Sequence, residues 1–130
     1  MRIEETIDLA AARTPEAVAL RCGSRSWTYG ALRAERDRRA GILIEGGLRV
    51  GERVVTAERV TDDYVITILA CGRAGLVVAG LSSLLTATEL TELTARIAPC
   101  LALTESGVAY PGLSAPRRYC WEKLGGGGLS

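Results

Sequence analysis

The sequence predicts an α/β fold: a layered parallel sheet of about four strands with flanking helices, preceded by a β-hairpin. Three observations carry this. Short β-branched runs alternate with amphipathic stretches, which is the pattern of βαβ crossovers. The stretch Thr61 to Leu93 holds most of the uninterrupted apolar residues and reads as helix, strand and helix in turn. Near the start, Cys22-Gly23-Ser24 separates two β-rich runs as a hairpin turn would. With 130 residues, 48% of them hydrophobic, the chain is long enough for one domain with a real core.

The elements follow in order. Met1 to Thr14 is a short amphipathic helix with Ile3, Ile7 and Ala10 on one face, stopped by Pro15 because the residue before proline leaves the helical region. Ala17–Arg21 and Arg25–Thr28 form the hairpin. Thr28 caps a helix running from Tyr29 to about Glu45. Tyr29, Leu32, Arg36, Ala40, Leu43 and Ile44 line one side of it. The charge run Arg33–Arg39 covers the other side as a solvated face, because Glu35 and Asp37 interrupt its positive charge. Gly46-Gly47 ends the helix, and Arg53–Ala57 is a strand. The glycines at 46, 47 and 51 do not make a dinucleotide-binding fingerprint.

Thr61 caps the next helix, Asp62–Ala74, with Asp62 and Asp63 in its first turn favoured by the helix dipole. That helix is apolar nearly all round and should be buried. Gly72 and Gly75 allow close approach and a stop. Leu76–Leu81 is a continuous apolar run, read as a strand buried on both faces. Thr86 and Glu89 have capping-box spacing, and Leu90, Leu93 and Ile97 continue at helical intervals up to Pro99. Cys100–Thr104 is a strand, Glu105–Ala115 a loop with Pro111-Gly112 as its turn, and Arg117–Trp121 allows one more strand. The arrangement is flavodoxin- or Rossmann-like, with right-handed crossovers. Residues 1–124 form the single domain, and 125–130 are a flexible Gly-rich tail.

Composition narrows the chemistry. The chain has no histidine and a single lysine, Lys123, so imidazole triads and the commonest metal ligand are excluded. Cys22, Cys71, Cys100 and Cys120 are too far apart in sequence for a zinc knuckle or a CxxC pair, and read as reduced thiols. A net charge of +1 and six aromatics give no footing for nucleic acid. An acidic N-terminus without an apolar core region points to a cytoplasmic protein. The rival reading of Tyr64–Leu85 as a membrane helix would place Arg73 near the bilayer centre, at about 2.5–3.5 kcal/mol. A soluble α/β reading fits better.

Ordered motifs then carry a resemblance. TPEAVALRCGSRSWTYGALRAERDRRAGILIEGGLRVGERV resembles the opening of the adenylate-forming ligases: acyl- and aryl-CoA synthetases, adenylation domains and luciferases. Thr14, Pro15, Ala19, Leu20, Thr28, Tyr29, Leu32, Gly47, Gly51, Arg53 and Val54 match in series. Leu69, Ala70, Gly75, Leu81, Leu85, Thr86, Glu89 and Leu90 match the family's next segment, and APCLALTES the strand beyond. Where that family carries a proline-flanked basic residue, this chain reads Gly80-Leu81-Ser82-Ser83-Leu84, so a CoA contact does not carry over to Leu84. The family's phosphate loop, ribose-binding aspartate and catalytic lysine have no counterpart here. The resemblance therefore implies no catalytic, cofactor-binding or metal residue in this chain. It implies a fragment or split subunit, acting as scaffold, of an AMP-forming acyl-/aryl-CoA synthetase-like ligase that activates a carboxylate with ATP, Mg²⁺ and in some members CoA. The protein partner would be the rest of the ligase or a second copy of the chain. The alternative is a non-catalytic interaction module. An independent enzyme built on Tyr29, Glu89 or a cysteine has no convergent set of titratable groups behind it.

Overall fold

The computed structural model describes residues 3–57, 61–82, 84–105 and 110–120, with side chains from Glu5 onward. The side chain of Ile3, Ser83, Trp121, Lys123, the proposed boundary at Leu124 and the tail 125–130 therefore lie outside the described residues. The elements are α1 (Ile3–Arg13), β1 (Val18–Cys22), β2 (Arg25–Thr28), α2 (Tyr29–Glu45), β3 (Arg53–Ala57), α3 (Asp62–Arg73), β4 (Val77–Leu81), α4 (Ala87–Ile97), β5 (Leu101–Thr104) and β6 (Arg118–Cys120). β1 and β2 form the antiparallel hairpin, with a register shift between Val18 and Leu20. The other four strands make one sheet in the order β4-β3-β5-β6, parallel throughout.

This order puts β3 beside both β4 and β5, so the crossover through α3 (β3 to β4) and the crossover through α4 (β4 to β5) run in opposite directions along the sheet. α3 and α4 consequently lie on opposite faces. On one face Val54, Leu101 and Leu103 pack with Leu43 of α2 and Ala70 and Cys71 of α3. On the other, Val55 and Ala102 pack with Leu90 of α4 and with Leu113. Residues alternate between these faces because strand side chains have a period of two. A third cluster, Ile7, Leu32, Ile66 and Leu69, lies on the outer side of α2 and α3, covered by α1 and the hairpin residues Leu20 and Trp27. α3 is thus enclosed between the sheet and α1, which is why it is apolar nearly all round. Each fully buried aliphatic side chain contributes about 1.5–3 kcal/mol relative to its exposed state.

The helix starts are as the sequence indicates. Thr28, Thr61 and Thr86 accept the backbone N–H of Ala31, Tyr64 and Glu89 respectively, and the Glu89 carboxylate accepts in turn from the Thr86 amide. Ala98 takes the left-handed conformation (φ 49°, ψ 60°), closing α4 ahead of Pro99. The Pro111-Gly112 turn has a steric requirement. Gly112 has φ +93°, and a Cβ there would sit 2.2 Å from the Ala87 carbonyl oxygen, so the loop can lie on α4 only with glycine.

Several expectations are corrected. β4 is not buried on both faces: it is an edge strand, and Val77 is 53% exposed. The fully buried strand is β5, all four residues of it. An apolar run reports hydrophobicity but not its place in the strand order. Ile44 is 55% exposed rather than on the packed side of α2. Gly72 faces open space, so no close approach requires it. The strands β1, β4, β5 and β6 begin one residue later than their sequence patterns suggest. Among the described residues no helix is long and apolar enough to cross a membrane; Tyr64–Leu85 is divided among α3, β4 and a turn.

Thr56, in the middle of the sheet, is completely buried and its Oγ1 has no hydrogen-bond partner. A buried hydroxyl without a partner carries its full desolvation cost. Thr56→Val should therefore stabilise the fold by about 1–2 kcal/mol, read as a higher urea midpoint at unchanged slope. A lower midpoint would mean that the hydroxyl is hydrogen-bonded in solution.

Candidate functional site

The densest set of charged side chains lies where α1, the hairpin, α2 and α3 meet. Helix periodicity brings Arg36 and Arg39 of α2 to this junction, and the capped start of α3 presents Asp62 and Asp63 to it. Arg36 is 0% and Arg39 2% exposed. The expected solvated face on Arg33–Arg39 therefore splits. Arg33, Asp37 and Arg38 remain exposed, whereas Arg36 and Arg39 are interior. Their charge survives burial because every direction is met by an acceptor.

Arg36 Nη2 donates to Asp8 Oδ1 of α1 at 2.7 Å, and Arg36 Nε donates to Asp37 Oδ1 at 2.9 Å. Arg33 lies 3.3 Å from the same Asp8 oxygen. Arg39 Nε donates to Glu35 Oε1 at 2.8 Å, its Nη2 to Asp63 Oδ1 at 2.8 Å, and its Nη1 to Thr67 Oγ1 at 3.3 Å. From the hairpin, Trp27 Nε1 donates to the buried Asp62 Oδ2 at 3.0 Å, and Arg25 Nε lies 3.0 Å from that oxygen. Arg25 also stacks over the Trp27 ring, 5.8 Å from its centroid.

The electrostatics are those of a satisfied network. The Arg36 hydrogen bond holds the Asp8 carboxyl below its ordinary range, and the Arg38 hydrogen bond does the same for Glu35. Burial works against the Arg36 charge, but hydrogen bonds to Asp8 and Asp37 leave its pKa raised overall. Such a network fixes α1 and the hairpin onto α2 and α3. Its carboxylates and guanidinium groups are directed at one another.

The residues weighed for independent catalysis do not converge. Thr28 and Tyr29 open α2, while Glu89 is held in its capping box on α4 across the sheet. Burial pushes the Cys71 thiol up to about 12, which makes it inert. Burial and a hydrogen bond to Glu52 also raise Cys100. A groove of about 700 Å³ between α4 and residues 114–116 is lined by small side chains such as Ala95, Ala98 and Ala115, with no ionisable group. Among the described residues no group of three or more His, Cys, Asp or Glu could hold a metal ion. The starts of α2, α3 and α4 are poor places for an ATP phosphate: at α2 the Tyr29, Gly30 and Ala31 amides are bonded to Ala17, Pro15 and Thr28, and Asp62 and Asp63 at α3 and Glu89 at α4 set negative charge in the first turn.

Comparison with known proteins agrees with this architecture. A family model described as AMP-binding enzyme matches residues 7–123. Malpinin synthetase of Mortierella alpina is 34% identical over 103 residues, which is 78% of this chain and 1% of that protein. The N-terminal subdomain of Klebsiella oxytoca NpsA superposes with a TM-score of 0.82 at 23% identity, covering 94% of this chain and 32% of that one. O-succinylbenzoate Coenzyme A Synthetase (MenE) of Bacillus subtilis, solved with AMP, superposes at 0.82 and 21% identity, covering 91% and 31%. The chain thus spans about a third of these two solved relatives.

The two neighbouring arginines give a direct test. Arg39→Met leaves Glu35 and Asp63 without their buried cation and should cost about 3 kcal/mol, whereas Arg38→Met, at the solvent rim, should cost less than about 1 kcal/mol. Urea unfolding of both variants measures the difference, and equal costs would mean that Arg39 is solvated. Acid reads the same network. Because the folded-state pKa values of Asp8 and Glu35 are lowered, their stabilisation is complete above their ordinary values of 3.8 and 4.5 and is lost as pH falls below these. The thermal midpoint should drop on the acid side of about pH 4.5, with a shallower drop in Glu35→Gln.

Proposed function

The chain belongs to the AMP-binding enzyme family, and on that premise we propose that it is the scaffold portion of an acyl-/aryl-CoA synthetase-like ligase. In this reading it is a fragment or split subunit of a ligase that activates a carboxylate with ATP. ATP, Mg²⁺ and the nucleophile that takes the acyl group, CoA or a carrier, are handled by the remainder of the enzyme. The observation that supports it best is the closed chemistry of the junction: Arg36 and Arg39 are buried and paired with carboxylates, and α2, α3 and α4 each start on a capping threonine. Groups spent in this way hold a fold together and leave nothing directed at a substrate. The breadth of the likeness also supports it, since the match runs through both crossovers of the sheet.

Carboxylate-dependent ATP–pyrophosphate exchange tests the proposal. The purified chain should stay at background with aryl and aliphatic acids. Native purification from its source cells should bring with it a ligase segment that carries a phosphate loop, and the complex should exchange. Exchange by the chain alone would overturn the scaffold reading; a native preparation without any ligase segment would overturn the split-subunit reading.

A further inference from the structure

The two edges of the sheet are unlike. β6 is only three residues long, follows Arg117 and begins with Arg118, and Arg117 is tied to the Gly46 carbonyl at 2.8 Å. Short length and positive charge are ordinary protections against unwanted strand pairing. β4 has neither. From Gly75 to Leu85 the chain contains no charged residue and no proline. β4 pairs with β3 in unbroken register from Val77 to Leu81, and β3 is its only strand partner among the described residues.

The hydrogen-bonding groups of β4 divide cleanly. Val77 N–H donates to the Glu52 carbonyl at 2.9 Å, toward β3. Strand groups alternate in direction, so Ala79 and Leu81 also face β3, and Val78 and Gly80 present N–H and C=O to the open side. Three of the most exposed large apolar side chains lie along this edge. Val77 is on it, 53% exposed; Leu84, just past its end, is 90% exposed. Val50, 83% exposed, lies against Gly75 at its start, where a Cβ would come within 3.0 Å of the Val50 side chain.

We propose that the open edge of β4 pairs with β4 of a second copy of this chain, antiparallel about a two-fold axis through Ala79. The strand is self-complementary in that arrangement. Val78 and Gly80 of one copy lie opposite Gly80 and Val78 of the other, so both outward N–H and C=O pairs are satisfied. Val77 comes beside Leu81 of the partner on the α4 face, covering the exposed valine. No like charges meet, because the segment has none. The two sheets join into one of eight strands. This interface rests on the sheet edge and not on the ligase reading.

Light scattering coupled to gel filtration, at concentrations up to several hundred micromolar, should give twice the 13.8 kDa of one chain. Amide exchange at Val78 and Gly80, which point away from β3, should slow as the dimer forms. Val77→Lys sets an exposed charge on the edge without disturbing the β3 ladder, and should weaken dimerisation roughly tenfold or more while the circular dichroism spectrum is kept. Val77→Thr, uncharged and β-branched, should still dimerise. A monomeric wild type with freely exchanging edge amides would overturn the proposal and leave the edge to another occupant, such as the remainder of a ligase. A Val77→Lys variant that dimerises as well as wild type would overturn it too.

Discussion

The structure depends on keeping two guanidinium groups charged inside a protein. Arg36 and Arg39 lie three residues apart on α2, both essentially without solvent. A buried cation is tolerated only when carboxylates and hydrogen bonds replace the water it loses. That constraint determines what packs where. Asp8 must come from α1, Asp63 and Thr67 from α3, and Glu35 and Asp37 from α2 itself. The hairpin joins through Arg25 and Trp27 on Asp62. Removing any one of these elements would leave a charge stranded, so α1, the hairpin, α2 and α3 are bound to one arrangement.

The sheet is built on a different principle. Its interior is apolar, and β3 and β5 are its centre because each has a strand on both sides and packs on both faces. α2 and α3 therefore have two duties, packing on the sheet inward and on α1 and the hairpin outward. This explains why α2 shows no single apolar stripe although five of its residues are buried. The polar residues on its second side are interior, and the network above is what makes that possible.

For function, the contrast lies between saturated and unsaturated parts of the molecule. The charged side chains of the junction bond to one another, and α2, α3 and α4 each start on a threonine cap. Among the described residues the β4 edge has no second strand beside it, and the buried Thr56 hydroxyl has no hydrogen-bond partner. Unsatisfied backbone at a sheet edge is directed at another strand rather than at a small molecule. The β4 edge thus presents backbone groups of the kind another strand can pair with.

The local signals were legible in the sequence. Thr28, Thr61 and Thr86 cap their helices because a threonine hydroxyl before a helical run has little else to bond, and Gly112 marks its turn because no side chain fits. The motif series from Thr14 to Leu90 indicated the family, and strand–helix alternation indicated the parallel sheet. The tertiary structure alone decided strand order, and with it that β4 is an edge: Leu76–Leu81 is equally apolar wherever it sits. It alone decided that Arg39 is interior, and that Arg36, which shares a side with Leu32, Ala40 and Leu43, meets Asp8 of α1 there, since the Arg33–Arg39 run reads as a wet face until a third layer covers it. Spacing along one chain fixes which residues share a face. Only the packing of other elements decides whether that face meets water.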